Sequence, residues 1–507
     1  MPRVSIHEGT SGIIELKAKG IQETYFPNND LDQTLELLFK LYELKDAKGK
    51  RFLDNYHHQE FNWLSTQVGN LYWRFLFRHV QYAPLLARFK KDGLTPHFSN
   101  KVNLARIWEV LHPRSRTRIK DYLPYEKTLP SHNQKVVHEK TDGLLFYRYG
   151  PRDFRTTDML RVFEDKGLKF HFVYSASRKL IRKRKDQPHP VYFLYRKVKT
   201  ERIFNHDYDL SGLPRPEAEI FRAAISRVEE NMSFQVWEYQ QHVENLKVAR
   251  PKVFFGLDDH QEAHPILFAC KTLGIPSIGY QLGMYARKQA AYVLERWEPG
   301  TYHWYDHVIV WGKYWEDVIR RHSKVYPQGF FLPGANKHDY GYKRLESDKF
   351  SPKNVLVPYE FWGNTRRIGE YIVKLMDLGF KVYFKFKPDE RPERQLACYH
   401  LPPEYADRLI HVEKITDEIM AEINIVAGGM TTLLYDLLPY GKHTWVLDTE
   451  FTLLQDMVED KLAELVRYED LEKMPEPERS DRKMDYTYIF NQTPLEDVLA
   501  EHVLSRL

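Results

Sequence analysis

Residues 252–280 read KVFFGLDDHQEAHPILFACKTLGIPSIGY, one complete α/β unit in 29 positions. The run 252–257 is short, apolar and rich in Val and Phe, as a buried strand is. Asp258, Asp259, His260 and Gln261 interrupt it, 263–273 carries helical spacing, Gly274 stops that helix, and 276–280 is a second strand. Strand, helix and strand in so short a span predict a parallel pair with a helical crossover.

The same grammar continues on both sides. Upstream, 142–149 reads as a strand, 157–166 as a helix stopped by Gly167, and 168–174 as a strand, with a long helical pattern over 217–246. Downstream, 307–311 is a strand and Gly312 opens a helix over 314–322. A second series starts near 353, with strands at 354–357, 381–386, 409–411, 423–426 and 444–447 and helices at 365–378, 417–422 and 431–438. The join at 328–351, rich in Gly, Pro, Lys and Asp, reads as a hinge. The expected fold is therefore α/β: two doubly wound, Rossmann-like sheets facing a central cleft. The first sheet belongs to 136–345 and the second to 346–507. In such sheets ligands sit outside the carboxyl ends of the strands, at the switch point of strand order.

Residues 1–135 read as a mainly helical, aromatic-rich extension. Apolar residues recur at helical spacing over 31–44 and again over 61–89, where Trp63, Tyr72, Trp73, Phe75 and Phe77 alternate with Arg74, Arg78 and Arg88. An aromatic core helix is the expectation, and a helix docking on a membrane surface or a partner is its alternative.

Composition sets limits. Of 507 residues, 42% are hydrophobic, 14% aromatic and 29% charged, which excludes collagen-like and wholly disordered chains. The longest charge-free run, 272–286, has 15 residues with Pro276 and three glycines. A spanning helix needs about 20 apolar residues, so no integral membrane segment is predicted. The opening MPRVSIHEGTSG has no apolar core of a secretory signal, and two cysteines build neither a disulfide framework nor a Cys-rich zinc site. The expected location is cytoplasmic, with peripheral contact at the inner membrane face left open. Net charge is uneven: 351–507 carries 19 Lys and Arg against 29 Asp and Glu, and 1–350 carries 56 against 41. A basic front suggests an anionic partner, such as nucleic acid, lipid surface or anionic glycan. The basic residues are dispersed and no nucleic-acid motif is present, so nucleic acid is not the expected partner.

Candidate chemistry falls at the predicted strand ends. In the second sheet, Gly428-Gly429-Met430-Thr431-Thr432 joins a strand to a helix, offering backbone N–H groups and two hydroxyls to an anion. The same turn closes many α/β units without binding anything. Lys385 and Lys387, at the end of a neighbouring strand, suit a phosphate or diphosphate, and Tyr359 and Glu360 suit hydroxyl recognition. In the first sheet, Asp258, Asp259 and His260 form the candidate catalytic group, a carboxylate there suiting a general base toward an acceptor hydroxyl. An Asp at this position also caps helices. Gln281 follows the next strand, and Arg148 and Arg152 close the first, suited to an anionic acceptor. The basic run 178–185 is most simply a solvated face. Asp207-Tyr208-Asp209 and Asp30-Leu31-Asp32 match a diphosphate–metal motif but follow no strand, and the 22 histidines show no paired-ligand spacing, so neither a protein-held metal nor a cofactor is predicted.

The segments GIPSIGYQLG (274–283), HVIVWGKYW (307–315), KFKPDE (385–390) and AGGMTTLLYDLLPYGK (427–442) together resemble bacterial surface-polysaccharide glycosyltransferases of the GT-B fold. Kdo transferases, polysialyltransferases and CDP-glycerol glycerophosphotransferases are of this kind. The resemblance spans roughly 250–450. Leu282, Lys387 and Gly428-Gly429 stand where those families often have His, His and serines. It implies a nucleotide-sugar donor, a CMP-sugar such as Kdo or a nonulosonate foremost, held by Lys385, Lys387, Thr431 and Thr432. It also implies a glycan or lipid-linked glycan acceptor in capsule or O-antigen synthesis, with Asp258 or Asp259 as its base. A CDP-polyol phosphotransferase of teichoic-acid type is the alternative, and a non-catalytic or nucleic-acid-binding protein a second.

Overall fold

The computed structural model describes residues 3–9, 13–18, 21–99, 103–111, 143–148, 153–175, 189–195, 200–258, 261–334, 351–360, 364–387, 391–475, 477–480 and 486–507. The basic run 178–185 and most of the hinge lie outside these residues, as do Arg152, Asp259 and His260.

The front region holds the helices Leu31–Glu43 and Phe77–Lys91 within the stretches read as helical, a further helix Asn103–Leu111, and strands that the sequence reading did not anticipate. β1 (Arg3–Glu8) pairs antiparallel with β2 (Ile14–Ala18), which pairs with β3 (Ile21–Tyr25). The ribbon β4 (His57–His58) and β5 (Phe61–Asn62) stands apart, and β6 (Thr95–Phe98) joins β1 in parallel. β1 buries Val4, Ile6 and Glu8 and exposes the residues between, a period of two.

The aromatic stretch 61–89 is not one regular helix. It runs from β5 through the 3₁₀ turn Trp63–Gln67 and the π-helix Asn70–Leu76 into Phe77–Lys91, which carries Pro84. Its rings point inward: Trp63, Tyr72 and Phe77 are fully buried, and Phe61 stacks on Phe268 at 4.4 Å. Among the described residues, no helix is long and apolar enough to cross a membrane.

Two parallel sheets follow. The first contains β7 (Leu144–Tyr147), β8 (Phe170–Ser175), β9 (Val191–Leu194), β10 (Val253–Leu257), β11 (Ser277–Tyr280), β12 (His307–Val310) and β13 (Phe331–Pro333). Their order is β13-β12-β11-β10-β7-β8-β9. The second contains β14 (Asn354–Pro358), β15 (Lys381–Lys385), β16 (Ile410–Val412), β17 (Ile425–Gly428), β18 (His443–Leu447) and β19 (Glu464–Val466), in the order β16-β15-β14-β17-β18-β19. β7, β10 and β14 are buried at every position, as expected of strands covered on both faces by crossover helices. Strand order reverses between β7 and β10 in one sheet and between β14 and β17 in the other, so each is doubly wound.

The carboxyl edges of the two sheets meet. Tyr435, just past β17, packs on Trp315 at 4.8 Å and exchanges a hydroxyl hydrogen bond with Tyr314 at 3.1 Å, both just past β12. The Arg287 amide, beyond β11, donates to Asp456 Oδ2 at 3.2 Å. The front region touches both halves, through Asp32 to Lys288 at 2.8 Å and Phe77 to Phe451 at 5.7 Å. The chain then returns. The Asn491 amide donates to the Trp311 carbonyl at 2.6 Å and Trp315 Nε1 to the Ile489 carbonyl at 2.9 Å, so 486–507 packs on the first sheet.

Candidate functional site

Both switch points carry residues singled out above. In the second sheet, β14 runs into Tyr359-Glu360 and its neighbour β17 into Gly428-Gly429. Glu360 is 2% exposed. Its Oε1 accepts hydrogen bonds from three successive amides: Gly429 at 2.7 Å, Met430 at 3.0 Å and Thr431 at 3.3 Å. Three successive amides of the turn thus converge on one point, and a carboxyl oxygen of the protein occupies it.

The glycines explain the fit. A Cβ on Gly428 would stand 2.6 Å from Glu360 Oε1, and one on Gly429 would stand 3.3 Å from Oε2. The Glu360 amide donates to the Tyr399 hydroxyl at 2.8 Å, and Tyr359 packs beside Tyr399 with ring centroids 6.1 Å apart. Oε2 is buried without a hydrogen-bond partner. Burial raises the Glu360 carboxyl from 4.5 to about 7, although the three amides pull the other way.

The hydroxyls and lysines take varied places. Thr431 Oγ1 accepts from the Leu433 amide at 3.2 Å, capping the short turn Leu433–Asp436 that Thr432 opens. Lys385 ends β15 opposite Pro358, two strands or roughly 10 Å from the cradle. It is half-buried, burial lowers its pKa, and its ammonium donates to the Phe386 carbonyl. Lys387 is exposed, and its backbone is pinned by the buried Gln395 side chain at 2.9 and 2.8 Å.

In the first sheet the switch point lies between Arg148, after β7, and Asp258, after β10, at the ends of paired strands. Asp258 is buried. Its Oδ1 accepts from the Leu282 amide at 2.9 Å and its Oδ2 from the Tyr285 hydroxyl, so it ties down the loop after β11. It also lines a small cavity with Ser65, Gly69, His264, Tyr292 and Trp304, roofed by the front region.

Arg148 and Gln281, expected on the acceptor side, are committed to the fold. Arg148 Nε donates to Thr156 Oγ1 at 2.8 Å and Nη2 to the Asp153 carbonyl at 2.9 Å. Gln281 Nε2 donates to the Gly283 carbonyl while its Oε1 accepts from the Trp311 amide, each at 2.9 Å. Asp259, His260 and Arg152 lie outside the described residues.

Sequence reasoning missed Tyr285, Tyr399 and Asp456, whose partners come from distant loops and leave no local signal. The two Asp-x-Asp matches serve the fold, Asp32 through its ion pair with Lys288. Asp30 caps its helix through the Gln33 amide at 2.8 Å, and Asp209 accepts from the Ser211 amide at 2.9 Å.

No protein-family profile matches the chain. No curated protein matches it either. Among solved structures, it is similar to MurG of Acinetobacter baumannii, at 13% identity over 65% of this chain and 87% of that one, TM-score 0.36. It is also similar to the calicheamicin glycosyltransferase CalG4 (12%, 65% and 87%, TM-score 0.39). A third is the UDP-GlcNAc 2-epimerase of Methanocaldococcus jannaschii (11%, 71% and 98%, TM-score 0.41).

Proposed function

We propose that the protein is a glycosyltransferase that moves a sugar from a nucleotide-activated donor to a glycan acceptor across the cleft between the two sheets. The observation that carries this reading is the amide cradle of Gly429, Met430 and Thr431 at the second switch point, three N–H groups converging on one carboxyl oxygen of Glu360. Successive backbone N–H groups at a strand end suit a phosphate oxygen for the same reason that they suit a carboxylate. Lys385, two strands away, is a cation at the same edge of the sheet. The donor is a nucleoside-activated sugar, a CMP-sugar foremost, and the acceptor a surface glycan or its lipid-linked precursor.

On the acceptor side, Asp258 orients the loop after β11 by its contacts with Leu282 and Tyr285. The base that takes the acceptor proton is assigned to the segment Asp258-Asp259-His260. General-base catalysis is worth about 10²–10⁴ in rate. We expect D259N or H260A to lower turnover by that order while leaving donor affinity unchanged, and D258N to lower the melting temperature as well.

The deciding experiment is a thermal-shift screen with CMP, CDP, UDP and GDP. A bound nucleotide at about 100 times its dissociation constant stabilises the native state by about 2.7 kcal/mol. No shift with any of the four would remove the donor assignment, and mass spectrometry of the product then separates glycosyl from phosphodiester transfer.

A further inference from the structure

The Glu360 carboxylate sits where an anionic ligand would sit. Its Oε1 takes all three amides of the cradle, and its Oε2 is enclosed without a hydrogen-bond partner against the two glycines. A buried carboxyl oxygen left bare is costly, so the seated side chain carries a desolvation cost that moving out to water relieves. Because Oε1 already takes the amides of Gly429, Met430 and Thr431, a ligand oxygen cannot reach them while Glu360 stays seated.

We propose that Glu360 is a resident competitor of the donor's phosphate. The cradle is an anion site for a phosphate or diphosphate oxygen, and the ligand enters it by displacing the Glu360 side chain into the cleft. This rests on the donor reading for the identity of the natural ligand. The exchange involves no covalent step: three N–H···O contacts to a carboxylate are replaced by contacts to a phosphate. The tethered carboxylate competes at high effective concentration, as a linked ligand does, and so sets the threshold at which donor binds.

The test is titration calorimetry of the full chain with CMP, CDP, UDP, GDP and inorganic pyrophosphate, comparing wild type with E360A and E360Q. Emptying the cradle in E360A removes a charge and frees three amides, so anion affinity should rise about tenfold or more. E360Q keeps the cradle filled without the charge and should fall between the two. Circular dichroism of each variant confirms the fold, and E360Q, nearly isosteric, keeps the comparison meaningful if E360A melts.

A nucleotide that binds wild type at least as tightly as both variants would overturn the exchange and leave the donor reading standing. Pyrophosphate tightening in E360A with no nucleotide bound by any form would keep the exchange and remove the donor reading. No binding of any anion to either variant would overturn the exchange.

Discussion

Glu360 is the residue on which charge and burial compete most directly. An exposed carboxyl titrates near 4.5, and burial lifts this one to about 7. The folded state therefore holds the proton more tightly than the unfolded chain. Below about pH 4.5 both states are protonated and the stability is fully present; it is lost as pH rises toward and through 7. The difference corresponds to about 3 kcal/mol. E360Q keeps an acceptor for the three amides and has no proton to lose. Calorimetry from pH 5 to 8 should show the wild-type melting temperature falling relative to that of E360Q; parallel curves would place the titration elsewhere. Glu360, Gly428 and Gly429 were legible in the sequence as strand-end residues of one sheet. Their contact was not, because it joins residues 69 apart in the chain through the pairing of β14 with β17.

At the scale of elements, close approaches decide which side chains fit. Gly369, within the helix Thr365–Asp377, would place a Cβ 2.1 Å from the Tyr399 carbonyl, whose own hydroxyl anchors the Glu360 amide. G369A should cost about 1–3 kcal/mol by overpacking, read as a lower melting temperature, and should loosen the site from behind. G428A acts from the front. Its Cβ would meet Glu360 Oε1, so the carboxylate is expelled and the pH dependence of the melting temperature should disappear; retention of that dependence would show that the carboxylate stays seated. The long apolar runs that became β10, β11, β14 and β15 were readable because each carries four or five residues of strand pattern between clear stops. β9, β13 and β19 escaped the reading; β13 and β19 hold three residues each, and a proline ends β13. β1 did carry a signal, Val4 and Ile6 alternating with polar residues, but Glu8 at its buried end hides the pattern. That carboxylate is satisfied by Asn103, Leu104 and Tyr82, two of them 95 and 96 residues away.

Across the whole molecule, a few side chains hold the two halves together. Asp456 receives the Arg287 amide and His322, and Asp460 takes Arg321 in a two-pronged contact at 2.8 and 2.7 Å. D456A should loosen this junction, which hydrogen exchange would register as faster exchange in 287–294 and in the helix Lys313–His322 with the sheets unaffected. The returning tail is a larger contribution. Residues 489–491 cover Trp311 and Trp315, the latter fully buried, and Gly312 lies so close that a Cβ would stand 2.5 Å from the Ile489 carbonyl. Ending the chain at 485 should expose both indoles, shift their fluorescence to the red and lower the soluble yield. An unchanged spectrum would show that the tail is dispensable.

Local patterning determined the class of this protein: apolar runs of strand length, helical spacing between them and polar breaks at the strand ends suffice for two parallel sheets and for the loops where ligands gather, because these signals act within a few residues. Which of those loops meet was decided by strand order. Two reversals, between β7 and β10 and between β14 and β17, put Arg148 and Asp258 at the ends of paired strands and Glu360 into the amides of Gly429–Thr431. A carboxylate finds such a cradle only when strands distant in sequence lie side by side, and burial then sets its affinity for a proton.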